Sequence, residues 1–104
     1  MDLIRFSSLS NIAKLDYIVI KLEHAKGLIS IIYNKLNSIS IDELENNNID
    51  LDVISKELEN LVDFLVYCGI ATEDGRSEEI FEELNIKISR LEEISQLVNK
   101  LSFN

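Results

Sequence analysis

The sequence has 104 residues, a formal net charge of −9, one cysteine and no proline. A chain of this length buries about 60 to 70% of the surface that its unfolded form exposes, so we expect a single domain over residues 1–104. One cysteine excludes an intramolecular disulfide, and the longest apolar run, at 64–71, is far shorter than the roughly 20 residues of a membrane-spanning helix. We therefore expect a cytoplasmic protein with no membrane association.

The first predicted element is a long helix from Asn11 to Asn37. Its apolar residues recur at spacings of three and four, which places them on one helix face. They are Leu15, Ile18, Leu22, Ala25, Ile29, Ile32 and Leu36. Next, Ser40 and Glu43 have the spacing of a capping box, so a short extra helix near 40–46 is expected.

Two more apolar stripes with the same spacing predict two more long helices. The second stripe is Leu51, Ile54, Leu58, Leu61, Leu65 and Cys68, and the third is Phe81, Leu84, Ile88, Leu91, Ile94, Val98 and Leu101. Asp50 is expected to cap the second helix, which should end near Ile70. Ser77 is expected to cap the third, which should end near Ser102. The predicted fold is all-α, an antiparallel bundle of three long helices.

The first two long helices carry more apolar residues than one stripe uses. The extra residues are Ile12, Tyr17, Val19, Ile20, Leu28, Ile31, Tyr33, Val62, Phe64, Val66, Tyr67 and Ile70. Because a bundle helix leaves its far side in water, this surface requires cover, above all at 64–71. One explanation is an interface, either in a homodimer, which we expect, or with a different protein. The other is that residues 1–9 fold back over it.

No pattern in the sequence predicts catalysis, a cofactor or a metal site. His24 is the only histidine, whereas a zinc site needs three or four nitrogen or sulfur ligands, so a structural histidine is expected. Cys68 ends the second stripe and is expected to be a small core residue. Both lie on predicted helices without a nucleophile elbow, which argues against a hydrolase.

Residues 46–57 partly resemble a calcium-binding loop. Asn46, Asn48 and Asp50 alternate at ligand spacing, and Glu57 lies where the bidentate acid belongs. However, Leu51 occupies the position that requires glycine for the sharp turn. A loop followed by a helix cap is therefore the favoured interpretation.

Gly27 lies in the middle of the first predicted helix. Glycine costs about 1 kcal/mol there relative to alanine. Either another helix approaches closely at this point, or the cost is simply tolerated.

The negative charge is concentrated in a central acidic band, residues 40–83, which holds fourteen acids but only two bases, Lys56 and Arg76. Such a band repels phosphate groups, so no direct binding of nucleic acid is expected. The expected complement is a basic surface on a partner protein.

Within this band the acids and two aromatic residues predict a partner-binding site. Three acids share one face of the second long helix, and four crowd the start of the third, where like charges repel. An apolar centre with a charged rim is a common design of protein interfaces. The candidate residues are Asp52, Glu59, Asp63, Phe64, Tyr67, Glu78, Glu79, Glu82 and Glu83. The alternative is a solvated face that only keeps the protein soluble.

Small size, acidity, predicted helices and a composition rich in Ile, Asn and Lys resemble inhibitors of phages and mobile elements of low-GC bacteria. These include anti-CRISPR proteins, anti-restriction proteins and antitoxins. The resemblance covers the whole chain, rests on no motif and assigns no residue a role. It implies a non-enzymatic protein that blocks a basic surface of its partner, such as a nucleic-acid groove. The alternative is a self-assembling helical structural or accessory protein.

Overall fold

The computed structural model describes residues 1–73 and 75–101, with the side chains of residues 69–73 outside that description. Over the described residues the chain is all-α, as the sequence predicts, and has no strand. The helices of this part are α1 (Leu3–Ser7), α2 (Asn11–Ser38), α3 (Ile41–Asn46), α4 (Leu51–Glu73) and α5 (Ser77–Leu101).

The long helices end within a few residues of the predicted positions. α2 ends at Ser38, one residue beyond the expected Asn37, and α4 continues to Glu73, three residues beyond Ile70. α5 ends at Leu101, and the expected end at Ser102 lies outside the described residues.

α3 and α4 begin where the sequence places their caps. The Ser40 hydroxyl oxygen accepts a hydrogen bond from the Glu43 amide at 3.2 Å. The Asp50 carboxylate accepts from the amides of Asp52 and Val53, at 2.9 and 3.3 Å. These bonds satisfy first-turn donors that have no carbonyl partner inside the helix. The predicted short helix and the Asp50 cap are confirmed.

The predicted cap of α5 is wrong by one residue. The Arg76 carbonyl accepts the first helical hydrogen bond, from the Ile80 amide at 3.1 Å, so Arg76 holds the cap position. Ser77 is already helical, and its hydroxyl donates to Glu78 Oε2 at 3.2 Å. The hydroxyl is therefore engaged by a neighbouring carboxylate rather than by the backbone.

α5 is the most completely buried of the long helices because it contacts α1, α2 and α4. Its whole predicted stripe is buried, together with Ile80. The α2 stripe behaves differently, since Leu15 is exposed and Leu22 is only half-buried. A seven-residue repeat drifts by about 20° per heptad on a straight helix, hence by about 60° between Leu36 and Leu15. The stripe therefore leaves the core at its N-terminal end.

Side-chain contacts show how α2 lies on α5. Lys14 Nζ forms an ion pair with Glu78 Oε1 at 2.7 Å, and His24 Nε2 lies 3.6 Å from Glu92 Oε1. Residue numbers increase together along the two helices, so α2 and α5 run in the same direction.

α4 runs in the opposite direction to α5. Glu57 pairs with Arg90, whereas Phe64, further along α4, lies under Lys87, whose Nζ is 5.8 Å from the ring centroid. The resulting molecule is a rod with principal extents of 50 × 22 × 18 Å. Its radius of gyration of 15.8 Å exceeds the roughly 13 Å of a compact chain of this length.

α1 was not predicted as a helix, and it carries a core residue. The Asp2 carboxylate caps it by accepting from the Arg5 amide at 2.8 Å. Phe6 is buried, stacked on Phe81 with ring centroids 4.4 Å apart, and its ring meets the edge of Tyr17 at 5.8 Å. The N-terminal segment thus folds back onto the start of α5.

Gly27 has open space around it. A Cβ atom built at this residue would meet no atom within 4 Å. The structure therefore favours tolerance of the glycine over a close helix approach.

Candidate partner-binding surface

The structure separates the predicted site along α4. Asp52, Glu59 and Asp63 are all exposed on this helix. At 1.5 Å per residue, however, Asp52 lies about 22 Å along α4 from Tyr67. Asp52 therefore belongs to a different end of the surface from the aromatic pair.

Of the two aromatic candidates, Tyr67 is the outward one. The rings of Phe64 and Tyr67 lie 6.3 Å apart, but Phe64 is half-buried beneath Lys87. Tyr67 is 45% exposed, and its hydroxyl oxygen accepts a hydrogen bond from Arg76 Nη1 at 3.2 Å. The sequence pattern alone did not distinguish the two residues, because both are offset from the apolar stripe.

The N-terminal helix α1 does not cover the exposed residues of the apolar run at 64–71. α1 packs on α5, and Val66 and Tyr67 remain exposed. The side chains of residues 69–71 lie outside the described part of the chain. Residues 1–9 therefore do fold back onto the bundle, but they leave Val66 and Tyr67 of α4 uncovered.

The acids at the start of α5 fall into two groups. Glu79, Glu82 and Glu83 are exposed, and none of them forms an ion pair within the part of the chain that the structure describes. Glu78 is paired with Lys14, whose hydrogen bond is the main reason why the pKa of the Glu78 carboxyl lies below its usual range. Glu78 links α5 to α2, whereas the other three face solvent.

The residues that resemble a calcium loop are used in other ways. Asn46 ends α3, and Asp50 caps α4. Glu57 makes a two-point contact with the Arg90 guanidinium, including Arg90 Nη2 to Glu57 Oε2 at 3.0 Å. Hydrogen bonding from Arg90 lowers the pKa of Glu57, and the same contact raises the pKa of Arg90. The interpretation as a loop followed by a cap is confirmed.

His24 and Cys68 occupy the positions expected of structural residues. His24 lies at the surface beside Glu92, and Cys68 is buried. Burial, with a smaller contribution from the charge of Glu83, raises the pKa of the Cys68 thiol to about 11. Among the described side chains, those of residues 1–68 and 75–101, no group of three or more His, Cys, Asp or Glu could hold a metal ion.

Two concave regions were not singled out by the sequence pattern. A groove with a volume of about 520 Å³ lies between α2 and α4. It is lined by Leu22, Lys26, Ile29, Ser30, Val62, Leu65 and Val66. A pocket of about 620 Å³, the corner pocket, lies between α3 and α4 and is lined by Ile41, Leu44, Glu45, Asn48, Ile49, Asp50, Leu51 and Asp52. The sequence did contain a signal for the groove, because Val62 and Val66 are among the apolar residues outside the α4 stripe. Among the predicted partner-binding residues, only Asp52 lines the corner pocket.

Comparisons with known proteins give no match, since no family model fits the sequence and no curated protein or solved structure is significantly similar to it. In the described residues, no helix is both long enough and apolar enough to cross a membrane.

Proposed function

We propose that this chain is an antiparallel bundle of three long helices that acts without catalysis in the cytoplasm, by binding a basic surface of a partner protein and blocking it. The observation that carries the proposal is a set of exposed acids, of which Asp63 lies one helical turn from the outward Tyr67 on α4. Asp63, Glu79 and Glu82 have no internal ion pair among the described residues. An interface of this kind combines an apolar anchor with charges that direct the encounter.

The internal ion pairs strengthen this argument. Lys14 is engaged by Glu78, Arg90 by Glu57 and Glu93, and Lys87 lies over the ring of Phe64. These pairs neutralise only Glu57 and Glu78 of the fourteen acids in the acidic band, so most of its negative charge is left for an external partner. A surface that normally binds nucleic acid is the natural complement, since it is built to accept a dense row of negative charges.

Charge reversal tests the proposal once a partner has been isolated from the host by affinity capture and identified by mass spectrometry. In the double variant Asp63→Lys/Glu82→Lys, the association rate at low salt should fall at least about tenfold, because exposed charges act through long-range steering. The salt dependence of association should decrease as well. Stopped-flow or surface-plasmon kinetics measure both quantities.

The matched control is Asp16→Lys/Glu23→Lys, which makes the same change in net charge on the exposed side of α2. The control should slow association much less. If the Asp63→Lys/Glu82→Lys variant keeps the wild-type association rate at low salt, the acids serve only solubility. The self-assembling structural or accessory protein would then be the better proposal.

We also propose that the chain forms a homodimer through the groove between α2 and α4. Val66 is 64% exposed at this groove, and Val19 on α2 is exposed as well. Burying such residues between two copies would remove apolar surface from water at about 25 cal/mol per Å². In a dimer of this kind, apolar burial rather than charge supplies the attraction, so the dimer should persist in 1 M salt whereas the acid-driven complex weakens.

For self-association we expect a dimer at micromolar concentration, measured by sedimentation velocity or light scattering. Val66→Asp should weaken dimerisation at least about tenfold, because a carboxylate would have to be buried in the groove. Ile86→Asp is the matched control, since Ile86 is 63% exposed on α5, outside this groove. A wild-type protein that stays monomeric at millimolar concentration, or equal effects of both variants, would contradict this interface.

A further inference from the structure

The corner pocket has an apolar floor and an open apolar edge. Leu44 and Ile49 are buried at its base, and Leu51 is half-buried beside them. Ile41, at the edge, is 65% exposed. The volume of about 620 Å³ lies within the range of about 300 to 1,000 Å³ that is typical of ligand sites. The floor is therefore suited to an aliphatic side chain.

The rim of the corner pocket carries three acids, and the base nearest to them in the sequence is Lys56, four residues after Asp52. Glu45, Asp50 and Asp52 line the pocket. Residues 36–55 contain five acids and no lysine, arginine or histidine. The helix dipole at the start of α4 contributes about half a positive charge and Lys56 one more, which the three carboxylates outweigh. The pocket thus attracts cations and repels anions.

Backbone hydrogen bonds hold the pocket in shape. The Asn48 amide donates to the Glu45 carbonyl at 3.0 Å, and the Ile49 amide donates to the Leu44 carbonyl at 2.9 Å. Asn48 adopts a left-handed conformation with φ of 58°, which asparagine accepts more readily than most residues. A preformed pocket spares a ligand the cost of ordering it.

We propose that the corner pocket receives a basic amphipathic segment of the partner protein. An aliphatic side chain of that segment contacts Leu44 and Ile49, and a neighbouring arginine or lysine lies against Glu45 and Asp52. The inference rests on the proposed function, because it assigns part of the same partner contact. It adds a second contact region, about 22 Å along α4 from Tyr67. The rim carboxylates would repel an acidic or phosphorylated segment. An uncharged segment would leave these carboxylates without an opposite charge beside them.

The test uses the isotope-labelled protein and a synthetic peptide of alternating leucine and arginine with blocked ends. Titration at low salt should shift the backbone NMR signals of residues 41–53. Peptides in which glycine replaces leucine, or glutamate replaces arginine, should bind at least about fivefold more weakly, because each lacks one of the two contacts.

Neutral variants locate the contact. Glu45→Gln/Asp52→Asn should weaken binding of the leucine–arginine peptide about three- to tenfold, in keeping with two exposed charge pairs. Asp16→Asn/Glu23→Gln makes the same change in charge on the exposed side of α2 and should leave this affinity within twofold. Circular dichroism confirms that both variants remain folded.

Three results would overturn the pocket as a site: no signal shift with millimolar peptide, equal weakening by both variants, or shifts confined to the surroundings of Tyr67. The last result would leave the proposed function standing, because the basic peptide would then bind the aromatic end of α4. Failure of the proposed function itself shows separately, as a wild-type association rate of the Asp63→Lys/Glu82→Lys variant with the captured partner at low salt.

Discussion

Replacing Phe6 with alanine is expected to lower the free energy of unfolding by about 3 to 5 kcal/mol. The Phe6 side chain is 0% exposed and stacks on Phe81. Its removal leaves a cavity between α1 and α5 and abolishes two aromatic contacts, each worth about 0.5 to 1.5 kcal/mol beyond the buried area. Because small domains are stable by only about 5 to 15 kcal/mol, this one change removes a large share of the total.

Urea denaturation followed by circular dichroism measures the Phe6→Ala effect. The matched control is Ile4→Ala in the same five-residue helix, where the side chain is 82% exposed. The control should change stability by less than about 0.5 kcal/mol. If Phe6→Ala cost no more than Ile4→Ala, the docking of α1 on α5 would be wrong.

The second large expected effect is a loss of stability at high pH that arises from Cys68. Burial raises the pKa of this thiol from 9.0 to about 11. Between these two pH values the folded protein therefore keeps the thiol proton, whereas the unfolded chain loses it. The contribution of the buried, protonated thiol to the free energy of unfolding is complete below pH 9. It disappears as the pH rises through about 11. At about 1.4 kcal/mol per pH unit, the total loss amounts to roughly 2 to 3 kcal/mol.

Comparison with Cys68→Ala isolates the contribution of this thiol from every other pH-dependent contribution to stability. Urea denaturation at pH 8 and pH 10.5 should show the wild type losing about 2 kcal/mol more than the variant between the two conditions. Equal losses would mean that Cys68 ionises freely in the folded protein and that its side chain is accessible to water.

The long helices could be predicted because each carries a periodic signal of its own. Asp50 and Ser40 needed only their spacing to the following residues to be identified as caps. α1 has five residues and one buried side chain, Phe6, so no periodicity could reveal it. Isolated helices of this length are unstable in water, and α1 depends on a contact with Phe81 that the local sequence does not show.

The candidate surface was predictable only as a set of exposed acids. Spacing on one helix places Glu59 and Asp63 on a shared face. Which acids are already paired depends on the packing of different helices: Lys14 and Glu78 are 64 residues apart, and Glu57 and Arg90 are 33 apart. The same limit hid the corner pocket, since its shape arises from the turn between α3 and α4.

The unbroken helix α4 has a consequence for how partners would be distinguished. Asp52 and Tyr67 lie on one continuous helix, so the distance between the two proposed contact regions is constant at about 22 Å. Once one region is bound, the other faces its target at a high effective concentration only if the target lies at that distance. Among proteins with equally basic surfaces, those with basic patches at this separation would gain from two-point attachment, and the rest would be held at a single point.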